Sequence, residues 1–164
     1  MTASTSKKVL VSRFDRAPVA GFVNPHGFLQ SSGVELLEVS GNVLIIPYQD
    51  IKLVAFVKDF ELSETWRQKR SFTARPKLAG LWVRLRFRDG DALEGVIPNN
   101  LLLQDPEGYT MIPPDPSAQN QKIFIPRNAL VEVQALGVVG SPLSRNQRKP
   151  KAAKPDDPQM GLFG

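Results

Sequence analysis

One segment of the sequence is compatible with only one secondary structure. Residues 83–88 alternate Val, Leu and Phe with three arginines, which is the period of a β-strand with one buried and one solvated face. Asp-Gly-Asp at 89–91 follows as a tight turn, because glycine supplies the positive φ that short hairpins require. The chain returns as a strand over 93–97. In that register Glu94 lies opposite one of the arginines, so both faces of the hairpin are satisfied.

Short strands of the same kind are predicted along most of the chain, which makes the fold class all-β. Turn-forming clusters of Pro, Gly, Asn, Asp and Ser separate them, and several strands at this spacing favour small barrels or sandwiches. A helical pattern is confined to 61–72 and is short. The further predicted strands are 9–14, 18–23, 34–39, 43–46, 51–57, 109–112, 122–125 and 130–135.

The two halves of the chain resemble each other. Residues 46–54 read Ile-Pro-Tyr-Gln-Asp-Ile-Lys-Leu-Val, and 125–133 read Ile-Pro-Arg-Asn-Ala-Leu-Val-Glu-Val. Earlier in each half, Arg-Phe, a turn and Gly followed by two apolar residues occur over 13–23 and again over 86–97, with one extra residue in the second hairpin. Self-similarity of this kind indicates a repeated structural unit.

These matches predict four segments. The first repeat is 8–60 and the second repeat is 80–138, and a basic connector, 61–79, joins them. The last segment, 139–164, is polar and rich in proline, and it holds too little apolar surface to fold, so a disordered tail is expected.

The composition argues against most enzyme classes. The chain has no Cys and one His, so thiolate nucleophiles and Cys-ligated zinc are excluded and a catalytic dyad has one candidate, His26. The sequence contains no nucleophile motif, Gly-rich phosphate loop or paired-carboxylate spacing. We therefore expect a non-enzymatic protein without cofactor or metal. An apolar run of the ~20 residues that a membrane span needs is absent, as is a signal peptide, so we expect a cytoplasmic protein without a membrane partner.

Positive charge is concentrated outside the repeats. The net charge of the chain is +5, and residues 61–80 and 141–164 each hold +3 of it. Trp66 and Phe72 lie among the connector cations, and aromatic faces can stack on bases while cations meet phosphates, so the connector is a candidate contact for DNA or RNA. Alternatively, the two aromatic rings pack the connector onto the repeats. The connector cations are Arg67, Lys69, Arg70, Arg75 and Lys77.

Each repeat resembles an Sm-like barrel, a small, five-stranded, strongly bent sheet. Residues 83–97 are similar to the first Sm motif and 123–133 to the second. The resemblance implies two tandem Sm-like β-barrels and, as an alternative function, RNA binding. Sm proteins that bind RNA carry an Arg-Gly or Lys-His type of loop in the second motif. Here those positions read Pro-Arg-Asn at 126–128 and Pro-Tyr-Gln at 47–49, so the RNA-binding residues do not carry over.

A closer resemblance is to an uncharacterised bacterial family that is often found beside PilZ domains. It is carried by 53–60, 83–95, 113–117 and 124–126. The resemblance implies no activity, and a regulatory interaction module allied to PilZ signalling is a further alternative. The motifs with which PilZ domains read a cyclic dinucleotide do not occur in this sequence.

The segment 159–163, Gln-Met-Gly-Leu-Phe, resembles the bacterial sliding-clamp-binding peptide, whose pattern is Gln, two variable positions, Leu and Phe. The resemblance implies that Gln159 hydrogen-bonds at the rim of a groove, that Met160 lies along it, and that Leu162 and Phe163 fill its hydrophobic pocket. A large apolar side chain gains about 1.5–3 kcal/mol on burial. The expected function is therefore an adaptor that docks on the DNA sliding clamp. In the competing interpretation, these side chains fold back onto a barrel edge of their own chain.

Overall fold

The structure, a computed structural model, describes residues 6–60, 70–114 and 120–140, and it confirms the all-β class. Short 3₁₀ turns occupy Tyr48–Asp50, Leu101–Leu103 and Arg127–Ala129. Every predicted strand is present, and the last one extends beyond its predicted end. The strands are β1 (Lys7–Arg13), β2 (Val19–Val23), β3 (Val34–Glu38), β4 (Val43–Ile46), β5 (Ile51–Val57), β6 (Gly80–Phe87), β7 (Ala92–Ile97), β8 (Gly108–Met111), β9 (Asn120–Pro126) and β10 (Leu130–Val139).

The hairpin of β6 and β7 has the register that the sequence pattern predicts. Leu85 lies opposite Leu93 and Arg84 opposite Glu94. The three apolar residues of 83–88 are buried, whereas Arg84 and Arg86 are exposed. The alternation therefore separates a core face from a solvent face, as expected for an antiparallel strand pair.

The ten described strands form two sheets that are joined side by side into one array. A seven-stranded sheet has the order β4-β3-β2-β1-β5-β9-β8, and a three-stranded sheet has the order β10-β6-β7. Val96 of β7 and Ile112, directly after β8, exchange two backbone hydrogen bonds of 3.0 Å and so connect the two sheets. Neither sheet closes on itself within the described residues. β4 and β10 consequently form the two outer edges of the strand array.

Both halves have the same topology. In the first repeat the last strand, β5, pairs with the first, and the order continues through the second, third and fourth; in the second repeat β10, β6, β7, β8 and β9 follow the same order. β1 pairs Val9 with Gly21, and β6 pairs Val83 with Gly95. The two hairpins are therefore equal in length. The prediction of one extra residue in the second hairpin is wrong.

A close backbone approach recurs at equivalent glycines. A Cβ atom on Gly33 would lie 2.1 Å from the Ile46 carbonyl oxygen, and one on Gly108 would lie 2.1 Å from the Ile125 carbonyl oxygen. No side chain fits at either position, because real Cβ atoms do not approach other heavy atoms so closely. The same glycine contact therefore occurs in both repeats. It shows that β3 and β4 of the first repeat correspond to β8 and β9 of the second.

Two hydrophobic cores share the paired strands β5 and β9. β5 contributes Val54 and Phe56 to a core formed with β1 to β4, and it contributes Leu53, Ala55 and Val57 to a core formed with β6 to β9. Strands that are apolar on both faces are typical of positions buried between two layers. β5 is therefore the structural link between the repeats.

The second repeat also closes the first core directly. β9 pairs with β5, and Phe124 of β9, which is fully buried, packs in the first core. Phe28, in the loop between β2 and β3, has its ring centroid 5.5 Å from that of Phe56 and 5.9 Å from that of Phe124. We call this pairing of β5 with β9 the repeat junction.

Candidate functional site

The residues predicted to bind the clamp, Gln159, Met160, Leu162 and Phe163, lie outside the described residues. The structure places the point from which their segment extends. Gly140 follows β10 with a φ of +60°, and a Cβ atom there would lie 2.7 Å from the Cα atom of Ala79. The chain therefore leaves the folded body at a position packed against the connector.

The connector cations fall into three groups. Arg67 and Lys69 lie outside the described residues, as do residues 61–69 of the predicted helical stretch. The Arg70 guanidinium is 3.1 Å from the Asp91 carboxylate, and the Arg75 guanidinium donates a 2.6 Å hydrogen bond to the Val138 carbonyl oxygen. Lys77 is exposed. Arg70 and Arg75 thus fasten the connector to the second repeat.

A buried carboxylate holds the start of the described connector. Glu94 is 7% exposed, and its Oε1 accepts hydrogen bonds of 3.1 Å from the Phe72 N–H and from the Trp82 indole N–H. The Arg84 guanidinium lies 3.6 Å from its other oxygen. The rings of Phe72 and Trp82 meet edge to face at a centroid distance of 6.2 Å. Phe72 therefore packs on the second repeat, in agreement with the alternative that the aromatic rings of the connector pack it onto the repeats.

The arginines near the β1 and β6 ends line a polar cleft of about 300 Å³. The Arg88 guanidinium stacks 4.0 Å above the Phe14 ring and donates to the Gln49 carbonyl oxygen at 2.6 Å. Arg13 donates to the Ala17 carbonyl oxygen through two nitrogens. Asp15 and Asp50 also line this cleft, so its charges are mixed. The Phe14 ring and part of the arginine donors are thus engaged in contacts within the chain. The remaining lining residue is Arg16.

A second cleft, of about 320 Å³, lies where the loop of His26 in the first repeat meets β8 and β9 of the second. Its polar lining includes Asp105 and Glu107, and Lys122 lies 4.8 Å from the Phe56 ring centroid. No group of three or more metal-binding side chains occurs among the described residues. His26 therefore belongs to a cleft whose lining is mixed in charge and polarity.

The acidic residues of this cleft, Asp105 and Glu107, influence the pKa of Tyr48. The Tyr48 hydroxyl donates a 2.5 Å hydrogen bond to the Gln30 carbonyl oxygen. Burial, followed by the charges of Glu107 and Asp105, raises the pKa of Tyr48 to about 12. The phenol consequently stays neutral and remains a hydrogen-bond donor at physiological pH.

Sequence reasoning missed an exposed apolar turn in the second repeat. Leu101–Leu103 are 81%, 93% and 64% exposed. The turn is held in place: Asn100 Oδ1 accepts a 3.0 Å hydrogen bond from the Leu102 N–H, and the Gln104 amide donates to the Pro98 carbonyl oxygen at 3.2 Å. The available signal was three consecutive leucines directly after a Pro-Asn-Asn turn. Exposed apolar surface on an ordered segment is typical of interaction sites.

The outer edge strands also expose apolar side chains. On β4 these are Val43 and Ile45, and on β10 they are Val131, Val133 and Val138. The sequence pattern predicted both strands but not their positions at the two ends of the array, because strand order depends on long-range pairing.

The fold and these surfaces define a class: an all-β protein of two topologically equivalent halves, with apolar side chains exposed at both edges. The model of the Family of unknown function (DUF6982) matches residues 5–137, and the chain belongs to this family. The prediction of an uncharacterised family is thereby confirmed. No curated protein and no solved structure matches the chain. In the described ranges, none of the helical segments has the length and hydropathy needed to cross a membrane.

Proposed function

We propose that this protein is a non-enzymatic cytoplasmic adaptor that docks on the DNA sliding clamp through Gln159, Met160, Leu162 and Phe163. The observation that carries the proposal is the sequence Gln-Met-Gly-Leu-Phe at 159–163, preceded by a polar, Pro-rich segment.

The distance between body and peptide is compatible with docking on a large partner. The composition of residues 141–158 predicts a disordered tail, and coil statistics give a segment of this length an end-to-end distance of roughly 20–25 Å. The segment starts at Gly140, on the connector side of the second repeat. A segment of this length allows the peptide to enter a groove of the partner while the folded body stays outside that groove.

The proposal extends to the fold and to DNA. Each repeat has five strands in the same order and a 3₁₀ turn before the last strand, which supports an Sm-like architecture for both. Exposed Lys77 and the cations of 141–164 provide a contact to phosphates without sequence preference. Affinity for DNA then falls steeply as salt rises, because phosphate contacts release counterions. Salt-independent DNA binding would contradict this extension, and a preference for RNA would favour the alternative of an Sm-like RNA-binding protein.

The direct test is titration of the labelled full chain, and of a peptide covering 156–164, with purified sliding clamp. We expect fluorescence anisotropy to report binding tighter than millimolar for both. Leu162→Ala combined with Phe163→Ala abolishes it, because the pocket loses both apolar side chains. The matched control is Asp156→Ala combined with Asp157→Ala, which changes two residues outside the motif. Binding no tighter than millimolar, or binding unaffected by the Leu162 and Phe163 changes, removes the proposal.

A further inference from the structure

The repeat junction shows how one repeat is completed by another. β5 and β9 pair antiparallel with Val54 opposite Phe124 and Phe56 opposite Lys122. Val54 and Phe124 are fully buried there, and Phe28 packs edge to face on both Phe56 and Phe124. The first core is therefore closed by a strand that belongs to the second repeat.

The second repeat has the same acceptor surface without an occupant in the described part of the chain. β10 corresponds to β5, since Val133 pairs with Leu85 of β6 as Val54 pairs with Val11 of β1. Val133 is 39% exposed, whereas Val54 is buried. Leu103 precedes Gly108 by the same five residues that separate Phe28 from Gly33, and it is 64% exposed.

The matching donor strand lies at the opposite end of the array. β4 corresponds to β9, because Ile45 and Phe124 each precede an Ile-Pro pair and each lies on the fourth strand of its repeat. Ile45 is 46% exposed, whereas Phe124 is buried. β4 pairs with β3 on one side, and its other side is an outer edge of the sheet. Among residues 6–60, 70–114 and 120–140 there is thus one unfilled acceptor edge and one unused donor edge of the same design.

We infer that the protein associates head to tail with further copies of itself, β10 of one copy pairing antiparallel with β4 of the next in the register of the repeat junction. Val133 then lies opposite Ile45, and Ala135 lies opposite Val43. Incoming Ile45 takes the place beside Leu103 that Phe124 takes beside Phe28. The occupant is a second copy, because β4 matches β9 in two respects. Each is the fourth strand of its repeat, and each pairs with the third strand of that repeat.

The contact joins two different surfaces, so each added copy leaves one acceptor and one donor edge free until the assembly closes on itself. It is weaker than the repeat junction. Glu132 and Gln134 of β10 occupy the positions at which β5 places Leu53 and Ala55 in a core. Polar side chains reduce the apolar area that pairing buries, so association depends on protein concentration.

Complementation between two edge variants of the full chain tests the inference. Ile45→Lys damages the donor edge, and Val133→Lys damages the acceptor edge; both side chains are exposed, so both variants fold, which circular dichroism checks. In sedimentation velocity we expect wild-type protein to form species larger than the 18.1 kDa monomer. Each variant alone is monomeric. An equimolar mixture forms dimers and nothing larger, because one intact donor edge meets one intact acceptor edge. Leu37→Lys, on the inner strand β3, is the matched control and assembles as wild type.

Three results would overturn the inference. Wild-type protein that stays monomeric at every concentration shows that the edges do not pair. Loss of assembly in both variants without recovery in the mixture shows that β4 of one copy does not pair with β10 of another. Assembly that survives Ile45→Lys or Val133→Lys shows that it uses another surface.

The absence of cysteine allows a direct check of register. A mixture of Ile45→Cys and Val133→Cys chains forms a disulfide between copies, since directly opposed residues in an antiparallel pair lie within disulfide reach. Leu37→Cys mixed with Val133→Cys does not. Cross-linking of Ile45→Cys with itself contradicts the head-to-tail arrangement.

The remaining candidate for the acceptor edge is the segment that contains Leu162 and Phe163. Leu162→Ala combined with Phe163→Ala leaves head-to-tail assembly unchanged if β4 is the partner of β10. Loss of assembly in this variant overturns the inference in favour of an exchanged C-terminal segment.

Discussion

At the scale of single residues, Glu94 is the polar group on which the connector depends most. Its buried Oε1 accepts from the Phe72 N–H and the Trp82 indole, so Glu94→Ala leaves two donors without this acceptor. We predict a loss of roughly 1–3 kcal/mol in the free energy of unfolding, measured by urea denaturation.

Glu132→Ala is the control for this change. It removes a carboxylate 3.1 Å from the Arg86 guanidinium, but both side chains are about half exposed. We expect a change of about 0.5 kcal/mol or less, because exposed ion pairs contribute little. Equal effects of the two substitutions would contradict a special role for Glu94.

Asp89 gives the protein a pH-dependent contact between the repeats. Lys52 Nζ on β5 lies 2.9 Å from the Asp89 and Asp91 carboxylates. Burial alone would raise the pKa of Asp89, but hydrogen bonds from Lys52 and from the Asp91 N–H, together with the Lys52 charge, outweigh it and lower that pKa below its ordinary value of 3.8. The ionised carboxylate therefore favours the folded state above the unfolded-state pKa, and this stabilisation is lost as the pH falls through the folded-state pKa.

We predict that Asp89→Asn lowers stability at neutral pH and that its difference from wild type shrinks as the pH falls below about 4. Urea midpoints measured across the acidic range check this. A difference that is constant from neutral to strongly acidic pH would mean that the Asp89 charge has no part in the contact.

At the scale of elements, alternation predicted the strands because a half-buried strand has a period of two, and the β6–β7 register followed from charge pairing along it. The role of β5 was also encoded. Residues 53–57 read Leu-Val-Ala-Phe-Val, an apolar run without alternation, which is typical of a strand buried on both faces. By contrast, 131–135 of β10 read Val-Glu-Val-Gln-Ala, the pattern of a strand with one face open.

The repeat junction and the contacts of Glu94 could not be predicted from the sequence. That β5 and β9 pair, and that Glu94 meets Phe72, depends on contacts between residues far apart in the chain, and local periodicity carries no information about them. The three leucines of Leu101–Leu103 can be read from the sequence, but their exposure cannot, because it depends on which strands lie beside them.

Equivalent loop residues of the two repeats have unequal energetic roles in the monomer. Phe28 packs on Phe56 and Phe124, so we predict that Phe28→Ala costs roughly 3–5 kcal/mol of unfolding free energy. Leu103→Ala, at the equivalent exposed position, costs about 0.5 kcal/mol or less in dilute solution. Urea denaturation at low protein concentration measures both. A large loss for Leu103→Ala would show that its side chain is already buried within one chain.

At the scale of the whole molecule, the repeats are not independent domains, because β5 supplies side chains to both cores and β9 closes the first one. Removing β5 from either core exposes apolar surface in the other. We therefore predict that the described body unfolds in one cooperative transition, in which no intermediate keeps one repeat folded.

The most direct test of this linkage is urea denaturation of Leu53→Ala, followed through NMR amide signals of both repeats. Leu53 points into the second core, yet β5 belongs to both. Signals of β2 in the first repeat and β7 in the second should disappear together, at a urea concentration lower than in wild type. Loss of the β7 signals alone, with β2 unfolding at the wild-type midpoint, would show two separate domains and contradict the shared strand.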